Sequence, residues 1–160
     1  MVILLMGVTG SGKTTIGRAL AESLKWQFAD ADDFHPPSNV AKMHAGIPLD
    51  DADRAPWLAV LQAKISAWLL AANDTVLACS ALKQTYRNQL MISPDVKLVY
   101  LRGSRDLIAQ RLWLRHNHYM DPSLLPSQFA ALEEPMDALS IDVDAPVPEI
   151  VTHIRSALGL

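Results

Sequence analysis

Residues 1–14 read Met1-Val2-Ile3-Leu4-Leu5-Met6-Gly7-Val8-Thr9-Gly10-Ser11-Gly12-Lys13-Thr14, and this stretch decides the fold. An unbroken apolar run ends at a glycine, as a strand buried on both faces does. Gly7 to Thr14 then fits G-x-x-x-x-G-K-[ST] at every fixed position. After Lys13, the residues Ile16, Leu20 and Leu24 recur every fourth position, which predicts a helix. Strand, glycine loop and helix together aim backbone N–H groups and a helix N-terminus at phosphate. Lys13 adds a mobile cation for the β- and γ-phosphates, and the Thr14 hydroxyl can ligate Mg²⁺. Gly7, Val8, Thr9, Gly10, Ser11, Gly12, Lys13, Thr14 and the adjoining Thr15 are therefore the expected binding residues for a nucleoside triphosphate. A glycine-rich turn with an incidental lysine would need all three elements to fall into register by chance.

Outward from this loop, strand-like and helix-like patterns alternate. Gln27–Ala29 reads as a weak strand that ends at Asp30, Asp32 and Asp33. Residues 35–53 read as a short helix plus loop. From Arg54 to Ala72, Trp57, Leu61, Ile65 and Trp68 form one helical stripe, with Pro56 in the first turn. Thr75–Cys79 and Lys97–Leu101 are β-rich and flank a helical segment near Lys83–Met91. Ser104 is a fitting N-cap for a helix to about Arg115. His116 to Leu125 has no period and reads as a loop; a short helix ends before Pro135. Leu139–Val143 is a last strand, and Val147, Ile150, Val151, Ile154 and Leu158 mark a final helix. This alternation predicts an α/β fold: one domain over residues 1–160, built on a five-stranded parallel sheet with helices on both faces. Ligands on such sheets bind beyond the carboxyl ends of the strands.

Composition narrows the function. Half of the 160 residues are apolar and 19% are charged, which excludes disorder. Fourteen Lys and Arg against seventeen Asp and Glu leave a formal charge of −3, with no basic excess to attract nucleic acid or an anionic membrane. Cys79 is the single cysteine, so neither an internal disulfide nor a cysteine-rich zinc site is available. Met1–Met6 is too short to span a bilayer and lacks the charged lead-in of a signal peptide. A soluble cytoplasmic domain is expected. The chain has no N-K-x-D guanine-reading motif, and the candidate strands beside the first end in Cys79-Ser80 and Arg102-Gly103, not in an acid. Phosphoryl transfer to a small molecule fits better than a switch or a motor.

Such transfer needs one carboxylate near Mg²⁺ and another to orient and deprotonate the acceptor hydroxyl. Asp30 and Asp32, one residue apart, project the same way if the backbone stays extended. Asp30 is then the metal-side residue and Asp32 the base. An acidic helix-capping loop is the alternative.

Several ordered segments carry a resemblance: Gly7–Thr14, Phe28-Ala-Asp-Ala-Asp-Asp-Phe-His-Pro36, Asn39-Val-Ala-Lys-Met43, Gly46-Ile-Pro-Leu49, Asp53-Arg-Ala-Pro-Trp57, Cys79-Ser-Ala-Leu-Lys83, Tyr86-Arg87, Ser127-Gln-Phe129 and Leu132-Glu-Glu-Pro135. Over nearly the whole chain they resemble the gluconokinase, or thermoresistant gluconate kinase, family, whose wider fold is shared with shikimate and adenylate kinases. The resemblance implies ATP-dependent phosphorylation of D-gluconate at its terminal hydroxyl, giving 6-phospho-D-gluconate and ADP, with Mg²⁺ as companion ion and a homodimer as the assembly. It also implies a lid at about 116–125 and an acceptor-binding segment at about 33–57. Arg111 takes the adenine-packing role and Arg115 the reach to the transferring phosphoryl group; Pro146 walls the adenine site. Where the family commonly has Lys-Gly in the lid, this chain has His116-Asn117, and Ala31 stands where glycine is frequent.

Gluconate is a polyol with one carboxylate, so its pocket needs hydroxyl partners and a fixed cation. Asp32 and His35 are the hydroxyl candidates. Arg54, Lys83 and Arg87 are the carboxylate candidates, arginine having the bidentate geometry. A kinase for another acid such as shikimate, and a nucleotide-binding module without catalysis, are the competing readings. The H-P pair after the acidic cluster and Cys79–Lys83 weigh against the first. Lys13, Thr14, Asp30, Asp32 and Arg115 weigh against the second.

Overall fold

The computed structural model describes residues 1–114 and 125–160. Its centre is the strand opened by the first apolar run. β1 (Val2–Met6) has every residue at 0% exposure, because it pairs in parallel with a strand on each side and is covered on both faces. Around it lie β2 (Gln27–Asp30), β3 (Thr75–Ala78), β4 (Val96–Arg102) and β5 (Leu139–Asp142), in the spatial order β2-β3-β1-β4-β5. The expected parallel five-stranded sheet is present among the described residues.

Residue alternation along β1 divides the core into two layers. Ile3 and Leu5 face α1 (Lys13–Leu24), α5 (Arg105–Leu114) and α7 (Val147–Leu158), meeting Ile16, Leu20, Ile108, Ile150 and Ile154. Val2, Leu4 and Met6 face α3 (Asp51–Leu70) and α4 (Gln84–Leu90), meeting Trp57, Leu61, Ile65, Tyr86 and Leu90. Two further helices are α2 (Pro37–His44), which follows the turn after β2, and α6 (Leu125–Ala131). Ser104 caps α5, its Oγ accepting the N–H of Leu107 at 3.2 Å. Among the described residues no helix is long and apolar enough to cross a membrane.

Two local expectations are corrected. The helix expected from Arg54 begins at Asp51, so Pro56 lies inside it, beyond the first turn. A capping box sets that start: Asp50 Oδ1 accepts the N–H of Asp53 at 2.7 Å, and Asp53 Oδ2 accepts the N–H of Asp50 at 3.1 Å. The backbone after Asp30 does not stay extended either. It turns into a 3₁₀ segment at Ala31–Phe34, which Asp30 caps by accepting the N–H of Asp32 at 3.2 Å. A short acidic side chain followed by Ala-Asp thus stabilises a turn more than it continues a strand.

Candidate active site

The loop Gly7–Gly12 crosses the carboxyl end of β1 and delivers the chain into α1. Gly12 caps that helix with φ +92°, a left-handed conformation that a side chain strains. Gly7 is required for a different reason: a Cβ there would stand 2.9 Å from the carbonyl oxygen of Leu101 and 2.7 Å from Ser11 Oγ. Lys13 folds back over the loop and donates Nζ protons to the carbonyls of Gly7 at 2.9 Å and Val8 at 3.0 Å. Removal from water lowers its pKa, while the nearby Asp32, Cys79 and Asp30 oppose that fall. Cys79 itself is a buried free thiol, pushed up to about 12 chiefly by burial, and so is inert.

Thr14 and Asp30 meet at the end of β2. Thr14 Oγ1 donates to Asp30 Oδ2 at 3.0 Å, which leaves two hard oxygen donors side by side. That donor set suits a magnesium ion that keeps phosphate and water as its other ligands. Among the described residues no group of three or more His, Cys, Asp or Glu gathers as a protein-only metal cage.

Asp32 is brought to the same cleft despite the turn. Its side chain is 73% exposed to water, with the charges of Asp30 and Lys13 close by. Partial desolvation, then the charge of Asp30, raises its carboxyl above the ordinary range, while Lys13 pulls the other way. His35 lies beside it, with Nε2 3.9 Å from Asp32 Oδ1.

The His35 ring is held by two neighbours, Trp57 and Asn39. It stacks on Trp57 with centroids 4.4 Å apart and 12° between planes. Trp57 is in turn fixed by donating its indole N–H to the Ala31 carbonyl at 2.7 Å. Asn39, 2% exposed, donates Nδ2 protons to the Asp53 carbonyl at 2.8 Å and faces His35 Nδ1 at 3.3 Å. Because a carbonyl can only accept, the Asn39 amide orientation is set. His35 Nδ1 is then the acceptor, and the proton resides on Nε2, facing Asp32. Burial and Arg54 hold the His35 pKa below its usual value, so the ring stays neutral at pH 7.

The three cations expected near an acceptor carboxylate separate. Arg54 and Lys83 flank the Tyr86 ring, at 5.8 Å and 5.5 Å from its centroid. Lys83 Nζ donates to Asp51 Oδ1 at 2.8 Å, and the Tyr86 hydroxyl donates to the same oxygen. Arg54 is half-buried and spends one donor on the Leu49 carbonyl at 2.6 Å. Arg87 is not brought to this surface. It is 1% exposed and donates NH1 protons to the carbonyls of Ala81 at 3.0 Å and Leu82 at 2.9 Å. Its place is beneath the loop that carries Lys83, where Ala81 adopts a positive φ of 43°.

On the other side of the phosphate loop, Arg111 donates to the Val143 carbonyl, tying α5 to the turn before α7. Pro146, at the start of α7, is on that same turn. Arg115 and the lid residues 116–124 lie outside the described residues. Asn39, Asp51 and Tyr86 were not expected as site residues. Asn39 and Tyr86 stand within segments that carry the resemblance, and that was their one signal.

A phosphate loop at the end of a central parallel strand, a Thr–Asp oxygen pair and a second carboxylate facing a polar, cationic cleft define a P-loop kinase of small molecules. The shikimate kinase family model matches residues 9–126. A probable gluconokinase of Dictyostelium discoideum is 46% identical over 172 aligned positions, covering 99% of this chain and 86% of that protein. The thermosensitive gluconokinase of Escherichia coli is 42% identical over 161 positions, covering 97% and 86%. The crystal structure of a gluconokinase from Sinorhizobium meliloti superposes with a TM-score of 0.88 at 40% identity, over 99% of this chain and 91% of that one. The chain belongs to the gluconokinase family.

Proposed function

We propose that this chain transfers the γ-phosphoryl group of ATP to the terminal hydroxyl of D-gluconate, giving 6-phospho-D-gluconate and ADP. The observation that carries the reading is the position of Asp32. It lies close enough to Lys13 on the phosphate side to feel its charge, and has His35, itself under the influence of Arg54, beside it on the other side.

Asp32 accepts the hydroxyl proton as the gluconate oxygen bonds to the γ-phosphorus. The bond from phosphorus to the β,γ-bridging oxygen breaks, and its electron pair stays on ADP. The raised carboxyl pKa suits a base that must hold that proton. His35, donating from Nε2, orients a gluconate hydroxyl. Arg54, with donors still unspent, takes the carboxylate, and Lys83 supports it from across Tyr86. Lys13 follows the phosphate charge, and the loop residues Gly7 to Thr15 cradle the nucleotide. Thr14 and Asp30 hold Mg²⁺, which would neutralise phosphate charge when bound. Arg111 and Pro146 flank the adenine. Arg115, a lid at 116–125, a homodimer and a cytoplasmic location complete the reading by resemblance to the family.

Coupled ADP release with gluconate, shikimate, nucleoside monophosphates and no acceptor tests this. Gluconate should give at least about tenfold higher kcat/KM than any other arm, the value of one charged hydrogen bond. Equal or faster turnover with shikimate would replace the reading.

A further inference from the structure

The phosphate loop is touched by a side chain from the far end of the chain. Gln128, on α6, places Oε1 2.7 Å from the backbone nitrogen of Thr9. An N–H can only donate, so the oxygen must face the loop and the amide orientation is settled. The other half of the group, Nε2 with two protons, makes no hydrogen bond among the described residues. It is therefore a donor held beside the third residue of the phosphate loop.

The helix carrying it is anchored at both ends. Leu125 is buried in the core layer of α1 and α5, and Phe129 packs against that layer with the Arg105 guanidinium 5.2 Å from its centroid. Just beyond α6, Glu133 donates its N–H to the Leu82 carbonyl at 2.9 Å and accepts the N–H of Gln84 with Oε2 at 2.6 Å. These two bonds clasp Lys83 from either side. The segment 125–133 thus bridges the nucleotide loop, through Gln128, and the loop carrying Lys83, through Glu133.

We propose that Gln128 is a further catalytic residue: anchored through Oε1 on Thr9, it donates from Nε2 to an oxygen of the phosphoryl group in transfer. The inference rests on the kinase reading above. A neutral amide suits the task because it supplies a donor without adding charge that nucleotide binding would have to desolvate. Its orientation is set before the substrate arrives, so no reorganisation is needed as charge develops.

The test uses Gln128→Ala and Gln128→Glu in the full chain. Steady-state kcat and KM are measured for ATP and gluconate, with the affinity for a non-hydrolysable ATP analogue by calorimetry. Gln128→Ala should lose about 10²-fold in kcat, the scale of one donor to developing charge, while analogue affinity stays within about threefold. Gln128→Glu should lose at least as much, although its carboxylate can still accept from Thr9, because it has no donor and repels phosphate. A fully active Gln128→Glu would reduce Gln128 to a tether and overturn the proposal. So would a Gln128→Ala enzyme with wild-type kcat and tighter analogue binding, which would make Gln128 a competitor for the Thr9 N–H. Wild-type turnover with gluconate tests the assigned reaction. The variant-to-wild-type ratio, read on whichever acceptor the wild type uses, tests Gln128.

Discussion

Thr14 on the first turn of α1 and Asp30 at the end of β2 share a hydrogen bond of 3.0 Å, so the phosphate loop and the acidic cluster are one unit. Asp30 also caps the turn that carries Asp32. Removing its carboxylate should therefore weaken the magnesium response before it weakens the fold. Asp30→Asn should raise the Mg²⁺ concentration for half-maximal rate by about 10–100-fold, as loss of a metal-orienting carboxylate does. A magnesium titration of the rate checks this; an unchanged midpoint would remove Asp30 from the metal side.

Asp32→Asn should lose about 10²–10⁴-fold in kcat, with ATP affinity retained, because the amide keeps the shape but cannot take a proton. The same substitution should stabilise the protein at neutral pH. A carboxyl whose folded pKa is raised costs stability above that pKa, where it is forced to ionise, and costs nothing below its ordinary value. Melting temperatures at pH 7 and pH 3 should show a gain in the variant at the first that disappears at the second. A variant less stable at pH 7 would contradict the cause given for the raised pKa.

Lys13→Ala should abolish measurable turnover while the protein still melts cooperatively. The lysine meets the β- and γ-phosphates most strongly as charge develops, so the loss falls on kcat. Near wild-type kcat would sink the role of the loop.

Arg54 and Arg87 should separate cleanly. Arg87→Ala leaves the Ala81 and Leu82 carbonyls without a buried charged donor, each such bond being worth about 1.5–3 kcal/mol. At about 2–4 °C per kcal/mol for a chain of this size, the melting temperature should fall by at least about 6 °C. Arg54→Ala, which loses one part-buried bond to the Leu49 carbonyl, should lower the melting temperature less than Arg87→Ala does and raise KM for gluconate at least about tenfold. It should also erase the preference for gluconate over glucitol, which has the hydroxyls without the charge. The reverse pattern would exchange their roles.

Much of this was legible in the sequence. The run Val2–Met6 announced a strand covered on both faces, and the loop after it announced the phosphate site, because both depend on local residue types at fixed spacing. What was hidden depended on choices made by distant partners. Arg87 reads as a partner for the acceptor carboxylate, since a buried guanidinium is rare, and only the carbonyls of Ala81 and Leu82 reveal where it went. Asp30-Ala-Asp32 reads as extended until the carboxylate of Asp30 is seen to cap its own turn. Gln128 is 119 positions from Thr9, beyond the reach of any periodicity.

The most direct measurement is the identity of the product. The full chain is incubated with ATP, Mg²⁺ and D-gluconate, and phosphorus-31 NMR with proton coupling reads where the phosphate has gone. The account predicts a phosphomonoester split by the two protons of a primary carbon, formed in step with ADP. Inorganic phosphate as the sole product, or an ester on a secondary carbon, would contradict it.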